Sequence, residues 1–167
     1  MRFRWINGHA DVLGLLADAE FFARMTAALA EPFRGLGVTK VASVEARGFA
    51  IGAPVASSLS AGFVAVRKGG AVHPGTKVRA PTDPDWRGRV NELEVLRASL
   101  GPQDRVLVVD DWAETGSQAT ATRSLIERCE AYYVGLSLLV DQLPDETRER
   151  LAPVASVVRY DELPPSG

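Results

Sequence analysis

Apolar residues recur at different spacings along this chain, and each spacing predicts an element. Phe21, Met25, Leu29 and Phe33 fall every four residues, which predicts an amphipathic helix over 18–33, closed by Gly35 and Gly37. The run 38–44 reads as a strand. Ile51, Val55 and Leu59 share one face of a helix over 49–60, and 63–66 is a further strand. Leu93, Leu96 and Leu100 predict a short helix over 92–100. A β-branched run at 105–109 predicts a buried strand. Thr122, Leu125, Ile126 and Cys129 then recur at helical spacing. A strand at 132–140, a helical turn at 146–151 and a last strand at 156–159 complete the series. Helices alternating with strands predict an α/β fold, a parallel sheet core flanked by helices.

Two stretches lack such a period. Residues 1–8 carry Phe3, Trp5 and Ile6 and suit an edge strand or an arm over a pocket. Residues 69–91 hold Pro74, Pro81, Pro84 and Trp86 among glycines and charges. A loop that long within a compact domain is usually functional or mobile.

Composition narrows the function classes. The 167 residues suggest one domain, and 46% hydrophobic content is enough for an ordinary core. A net charge of −2 with no basic block gives no sign of nucleic acid binding. Cys129 is the only cysteine and His9 and His73 the only histidines, which excludes an internal disulfide and a cysteine/histidine zinc site. No apolar run is long enough to span a bilayer, and residues 1–8 do not resemble a signal peptide. The expectation is a soluble cytoplasmic protein.

The candidate chemistry lies where the strand 105–109 meets the following helix. Asp110 and Asp111 fall at the expected end of that strand, followed by the small polar turn Thr115-Gly116-Ser117-Gln118. Backbone N–H groups at a helix N-terminus form a ready anion site, and Gly116 lets the chain approach the anion. Thr115 and Ser117 add hydroxyl donors. Adjacent carboxylates suit a vicinal diol and can help hold a divalent cation. A phosphate beside a diol describes a ribose 5-phosphate. The plainer alternative is that the aspartates only end a strand and cap a helix. A second cationic site would be needed for further phosphates. Arg47, in the turn after 38–44, and Arg67 and Lys68, after 63–66, lie at the strand ends where open α/β sheets bind ligands. Glycine-rich dinucleotide and P-loop signatures are absent.

The segment Val108-Val109-Asp110-Asp111-Trp112-Ala113-Glu114-Thr115-Gly116-Ser117-Gln118 resembles the phosphoribosyl-pyrophosphate (PRPP) motif of the type I phosphoribosyltransferases. Upstream, Val44-Glu45-Ala46-Arg47-Gly48-Phe49-Ala50-Ile51-Gly52-Ala53-Pro54 and Gly62-Phe63-Val64-Ala65-Val66-Arg67-Lys68-Gly69 resemble the pyrophosphate-loop and following strand of the adenine phosphoribosyltransferases. The likeness runs, with gaps, from about Asp11 to the C-terminal Val-Val-Arg-Tyr-Asp.

The resemblance implies a purine-salvage enzyme, a cytoplasmic homodimer, that uses PRPP and Mg²⁺. It would transfer ribose 5-phosphate to an adenine-like base and release pyrophosphate. By that likeness Asp110 and Asp111 hold the ribose hydroxyls and the metal, and 115–118 cradles the 5-phosphate. Ala46, Arg47, Arg67 and Lys68 meet pyrophosphate, and the Glu45–Ala46 peptide bond is cis. Residues 1–17 would form a hood over the base and 69–91 a mobile lid. Glu92-Leu93-Glu94-Val95 resembles the end of the family's catalytic loop, which makes Glu92 one candidate base catalyst. Glu114 is the other: the family usually has Ala there, and a carboxylate at the matching place in hypoxanthine-guanine enzymes faces the purine. Ser117 and Gln118 also depart from the family's Gly and Thr. In the hood, His9-Ala10-Asp11 stands where the family carries Phe-Arg-Asp, which leaves His9 as the candidate base contact. A PRPP- or nucleotide-sensing regulator of the same fold, or a transferase for a non-purine acceptor, remains the alternative.

Overall fold

The computed structural model describes residues 5–6, 9–70, 74–84 and 90–165. A seven-stranded sheet has the order β5 (Lys77–Pro81), β6 (Glu92–Leu96), β4 (Gly62–Lys68), β3 (Lys40–Val44), β7 (Arg105–Ala113), β8 (Tyr132–Asp141), β9 (Val154–Arg159). From β4 to β9 neighbouring strands are parallel. β5 and β6 form an antiparallel ribbon on the β4 edge. A two-stranded ribbon of β1 (Trp5–Ile6) and β2 (His9–Ala10) stands apart from that sheet.

The parallel strands read as near-continuous apolar runs because both of their faces are covered. On one face, α2 (Ala19–Ala30) and α3 (Arg47–Ser58) bury Met25, Leu29, Ile51 and Val55 against Val41, Leu107 and Val109. On the other, α4 (Ser117–Arg128) buries Leu125 and Ile126 against Val106, Val108, Leu136 and Leu138. Asp11 caps α1 (Val12–Leu16) through the Gly14 N–H at 2.9 Å, and Asp18 caps α2 through the Phe21 N–H at 2.8 Å. The helix expected over 18–33 finishes as a 3-10 turn, Glu31–Phe33, where Pro32 enters. A further short helix, α5 (Asp145–Arg150), lies between β8 and β9.

Two expectations fail here. Residues 92–96 are strand β6, not the start of a helix. Leu93 and Val95 alternate into the core, and β5 and β4 supply backbone partners on both sides. The helical spacing of Leu93, Leu96 and Leu100 is outweighed by pairing with strands that are distant in sequence. The same ribbon shortens the loop expected over 69–91, because Lys77–Pro81 is β5. Residues 71–73 and 85–89 of that stretch, with Trp86, lie outside the described residues, as do residues 1–4 and 7–8 of the expected arm.

Between the core-facing residues of β6 lies Glu94, a carboxylate with no exposed surface. Lys77 Nζ sits 3.0 Å from it and Arg79 Nε 3.4 Å, both on β5. Burial alone would raise its acid range, but Lys77 and Arg79 outweigh that and hold it below the ordinary value. Removing one partner of a buried pair strands the other charge. Glu94→Ala is therefore expected to lower stability by about 3 kcal/mol in urea denaturation. A loss under about 1 kcal/mol would show that the ribbon does not depend on this cluster.

Candidate active site

Three strand ends converge on one cavity of about 460 Å³. The β3–α3 turn contributes Glu45, Ala46, Arg47 and Gly48, and β4 contributes Lys68. The end of β7 and the turn into α4 supply residues 110–119. The structure thus brings together Ala46, Arg47, Lys68, Asp110, Asp111, Glu114, Thr115, Gly116, Ser117 and Gln118. Arg67 and Glu92 do not line the cavity. Glu92 stands in β6, half-exposed, with Arg79 Nε at 3.4 Å. His9 belongs to β2, and its side chain lies outside the described part of the structure.

Asp110 and Asp111 do not end their strand, contrary to expectation. β7 continues to Ala113 because β8 stays paired with it through Ala113–Asp141. On the other side, pairing with β3 stops at Ala42–Val108. The acids therefore sit on a strand held along one edge and open to the cavity along the other. Gly48 makes room for them, since a Cβ there would lie 3.2 Å from Asp110 Oδ1. Asp110 Oδ1 accepts the Asp111 N–H at 2.9 Å. Across the cavity Arg47 Nε lies 2.8 Å from Asp111 Oδ2, and the Asp111 side chain is only 6% exposed. Burial pushes the acid range of Asp110 well up, and the neighbouring Asp111 charge pushes it further. Burial raises Asp111 too, against the opposing pull of Arg47. Two carboxylates this close resist ionising together.

The turn after β7 opens a helix on a left-handed glycine. Gly116 caps α4 with a φ of 74°, in the left-handed region. The first turn of a helix has N–H groups without intrahelical acceptors, and the helix dipole adds positive potential there. The Thr115 hydroxyl accepts the Ser117 N–H at 3.3 Å. The first backbone bond of the helix runs from the Thr120 N–H to the Gly116 carbonyl. The Glu45–Ala46 peptide bond facing this turn is cis.

No protein-family model matches the chain. An adenine phosphoribosyltransferase from Streptomyces coelicolor is 43% identical over 153 residues, which is 92% of this chain and 82% of that protein. Another from a Synechococcus species is 35% identical over 90% of this chain and 88% of its own length. Among solved structures, the adenine phosphoribosyltransferase of Rhodothermus marinus superposes with a TM-score of 0.81 at 34% identity, covering 90% of this chain and 86% of that one. The chain belongs to the adenine phosphoribosyltransferase family. The Giardia lamblia family member, solved in complex with 9-deazaadenine, superposes with a TM-score of 0.80 at 27% identity, over 95% of this chain and 91% of that one.

Within this adenine phosphoribosyltransferase fold, two features of the site escape sequence reasoning. Glu45 accepts the Lys68 backbone N–H at 2.7 Å and pairs with Arg67 Nε at 2.9 Å. Burial pushes its acid range up, but these bonds outweigh it and the net shift is downward. Arg67 is thus held against Glu45 while Lys68 turns into the cavity. The parallel register of β3 and β4, Val44 against Val66, is what places Glu45 beside Arg67 and Lys68. The second feature is Trp112, which lines the cavity beside the acids. Its ring meets Trp5 at 6.0 Å and Tyr160 at 5.8 Å, both edge-on, and its indole N–H donates to Gln142 Oε1 at 2.9 Å. Three aromatic side chains scattered along the sequence carry no local signal of such a cluster.

Proposed function

We propose that the protein transfers ribose 5-phosphate from PRPP to a purine-type base, adenine foremost, and releases pyrophosphate, as an enzyme of purine salvage. The observation that carries this reading is one cavity lined by Asp110 and Asp111, by the turn at 115–118 and by the cations Arg47 and Lys68. That set suits a ribose diol, a 5-phosphate and a pyrophosphate. The turn holds the 5-phosphate with its N–H groups. The acids accept the ribose hydroxyls and favour the positive charge that grows on the sugar as its bond to pyrophosphate breaks. Arg47 and Lys68 take up the departing negative charge, with Ala46 in the turn that faces it.

Glu114 is the better of the two candidate bases, because it lines the cavity while Glu92 is engaged with Arg79. It would accept the proton lost from the base nitrogen as that nitrogen bonds to the sugar. Arg67 acts on this reading through Lys68 and Glu45. The assignments of His9 to the base, of residues 1–17 to a hood, and of residues 69–91 to a lid rest on the family resemblance. A homodimer rests on it as well, while a cytoplasmic location rests on the composition.

The donor set suits Mg²⁺ shared with substrate oxygens. Asp111 Oδ2 is buried with the Arg47 guanidinium 2.8 Å away, and as a carboxylate oxygen it is a hard donor with lone pairs left for a cation. Among the described residues no three acids or histidines are arranged to hold a cation alone. When bound, Mg²⁺ would supply charge neutralisation at the pyrophosphate.

The test is a nucleobase panel with PRPP and Mg²⁺: adenine, hypoxanthine, guanine, uracil and nicotinate. Adenine is expected to yield AMP and pyrophosphate in equal amounts. Turnover with another base alone would reassign the acceptor, and PRPP binding without turnover of any base would make the protein a sensor.

A further inference from the structure

We propose that Asp141, a buried carboxylate at the end of β8, is the positioning residue of the 5-phosphate turn, and this rests on the functional reading above. Asp141 has no exposed surface, and it pairs in register with Ala113 at the far end of β7. Its Oδ1 accepts the Leu143 N–H at 2.9 Å. Its Oδ2 meets the Arg148 guanidinium from α5, with Arg159 Nη1 at 3.7 Å. The carboxylate therefore ties together the end of β8, the backbone of 141–143, helix α5 and the end of β9.

That knot grips the anion turn at consecutive places. The Gln142 N–H donates to the Ala113 carbonyl at 3.0 Å, and Gln142 Oε1 accepts the Trp112 indole N–H at 2.9 Å. Beyond these, Leu143 and Thr147 form the seat of Gly116. A Cβ on that glycine would lie 2.8 Å from Leu143 Cδ2 and 2.6 Å from Thr147 Cγ2. Asp141 fixes the backbone of Leu143 directly and the helix carrying Thr147 through Arg148. The direction in which the turn's N–H groups point is thereby set from beneath.

A buried ion cluster is a poor way to gain stability, since apolar replacements of similar size often do as well. It is a good way to fix orientation, because a guanidinium and a carboxylate meet in few geometries. An anion site benefits from that, since donors already aimed at the charge need no reorganisation.

The experiment compares steady-state kinetics and PRPP titration of the wild type, Asp141→Asn, Arg148→Lys and Asp141→Leu/Arg148→Met, with melting curves for each. Asparagine keeps an acceptor for Leu143 but loses the charge facing Arg148 and Arg159. For Asp141→Asn the proposal expects the KM for PRPP to rise by about tenfold or more, with kcat and the KM for the base at saturating PRPP nearly unchanged. Arg148→Lys, which keeps the charge and the fold, should show the same split at a smaller size. The apolar double variant should recover part of the melting temperature but not the KM. The proposal is overturned if PRPP affinity is unchanged in the single variants, or if kcat falls and both KM values rise together with a lowered melting temperature. It is equally overturned if the double variant restores both the melting temperature and the KM for PRPP. A wild type that does not bind PRPP would instead remove the functional reading, and this proposal with it.

Discussion

Replacing both Asp110 and Asp111 by asparagine is expected to lower kcat/KM for PRPP by about a thousandfold or more while the protein stays folded. On the proposed reading the acids accept the ribose hydroxyls, and asparagine cannot oppose positive charge on the sugar. The effect on stability should run the other way. Folding raises the acid range of both groups above the ordinary 3.8, chiefly through burial. A carboxyl raised in this way contributes stability that is fully present below the ordinary value and is lost as pH climbs through the raised one. Near neutral pH the pair is therefore a burden on the fold. The wild type should become less stable as pH rises from about 4, and the double variant should be flatter over that range and melt higher near neutrality. Melting curves from about pH 4 to about pH 8, beside PRPP kinetics, check both halves. A variant that melts lower at neutral pH and retains activity would contradict the roles given to these acids.

The second large effect is expected at Gly116. Its φ of 74° is one that residues with a Cβ rarely adopt, and a Cβ there would lie 2.6 Å from Thr147 and 2.8 Å from Leu143. The left-handed backbone costs a residue with a Cβ about 1–2 kcal/mol. Overpacking the contact with α5 adds about 1–3 kcal/mol. Gly116→Ala should therefore lose about 2–5 kcal/mol in urea denaturation. Because relief requires the turn to shift, its N–H groups would be re-aimed, and PRPP affinity should fall by about a hundredfold. Loss of less than about 1 kcal/mol with unchanged affinity would show that the turn tolerates a side chain and that its geometry is not what binds the anion.

Much of this architecture is legible in the sequence because β3, β7 and β8 are buried on both faces and so read as near-continuous apolar runs. The turn at 115–118 is legible for a different reason: small polar residues and a glycine at a helix start have a local meaning. What stays hidden is whatever depends on register between distant segments. β6 looks helical until β5 and β4 flank it. Asp110 and Asp111 look like a strand end, since nothing near them shows that β8 carries the pairing on to Ala113. Glu45, Glu94 and Asp141 are charges whose partners come from other elements, and a charge in sequence looks exposed until those partners are placed. The resemblance of 44–54 and 62–69 to the family's pyrophosphate loop and following strand points to Arg47 and Lys68, which line the same cavity as the acids. It does not show that Arg67 is turned aside by Glu45.

The measurement closest to the central claim is a calorimetric titration of PRPP with Mg²⁺ into the wild-type protein and into Asp110→Asn/Asp111→Asn. The account predicts saturable binding at one site per chain in the wild type and its loss in the variant. Absence of binding to the wild type would contradict the account outright, leaving the paired acids as an open strand edge beside a helix cap.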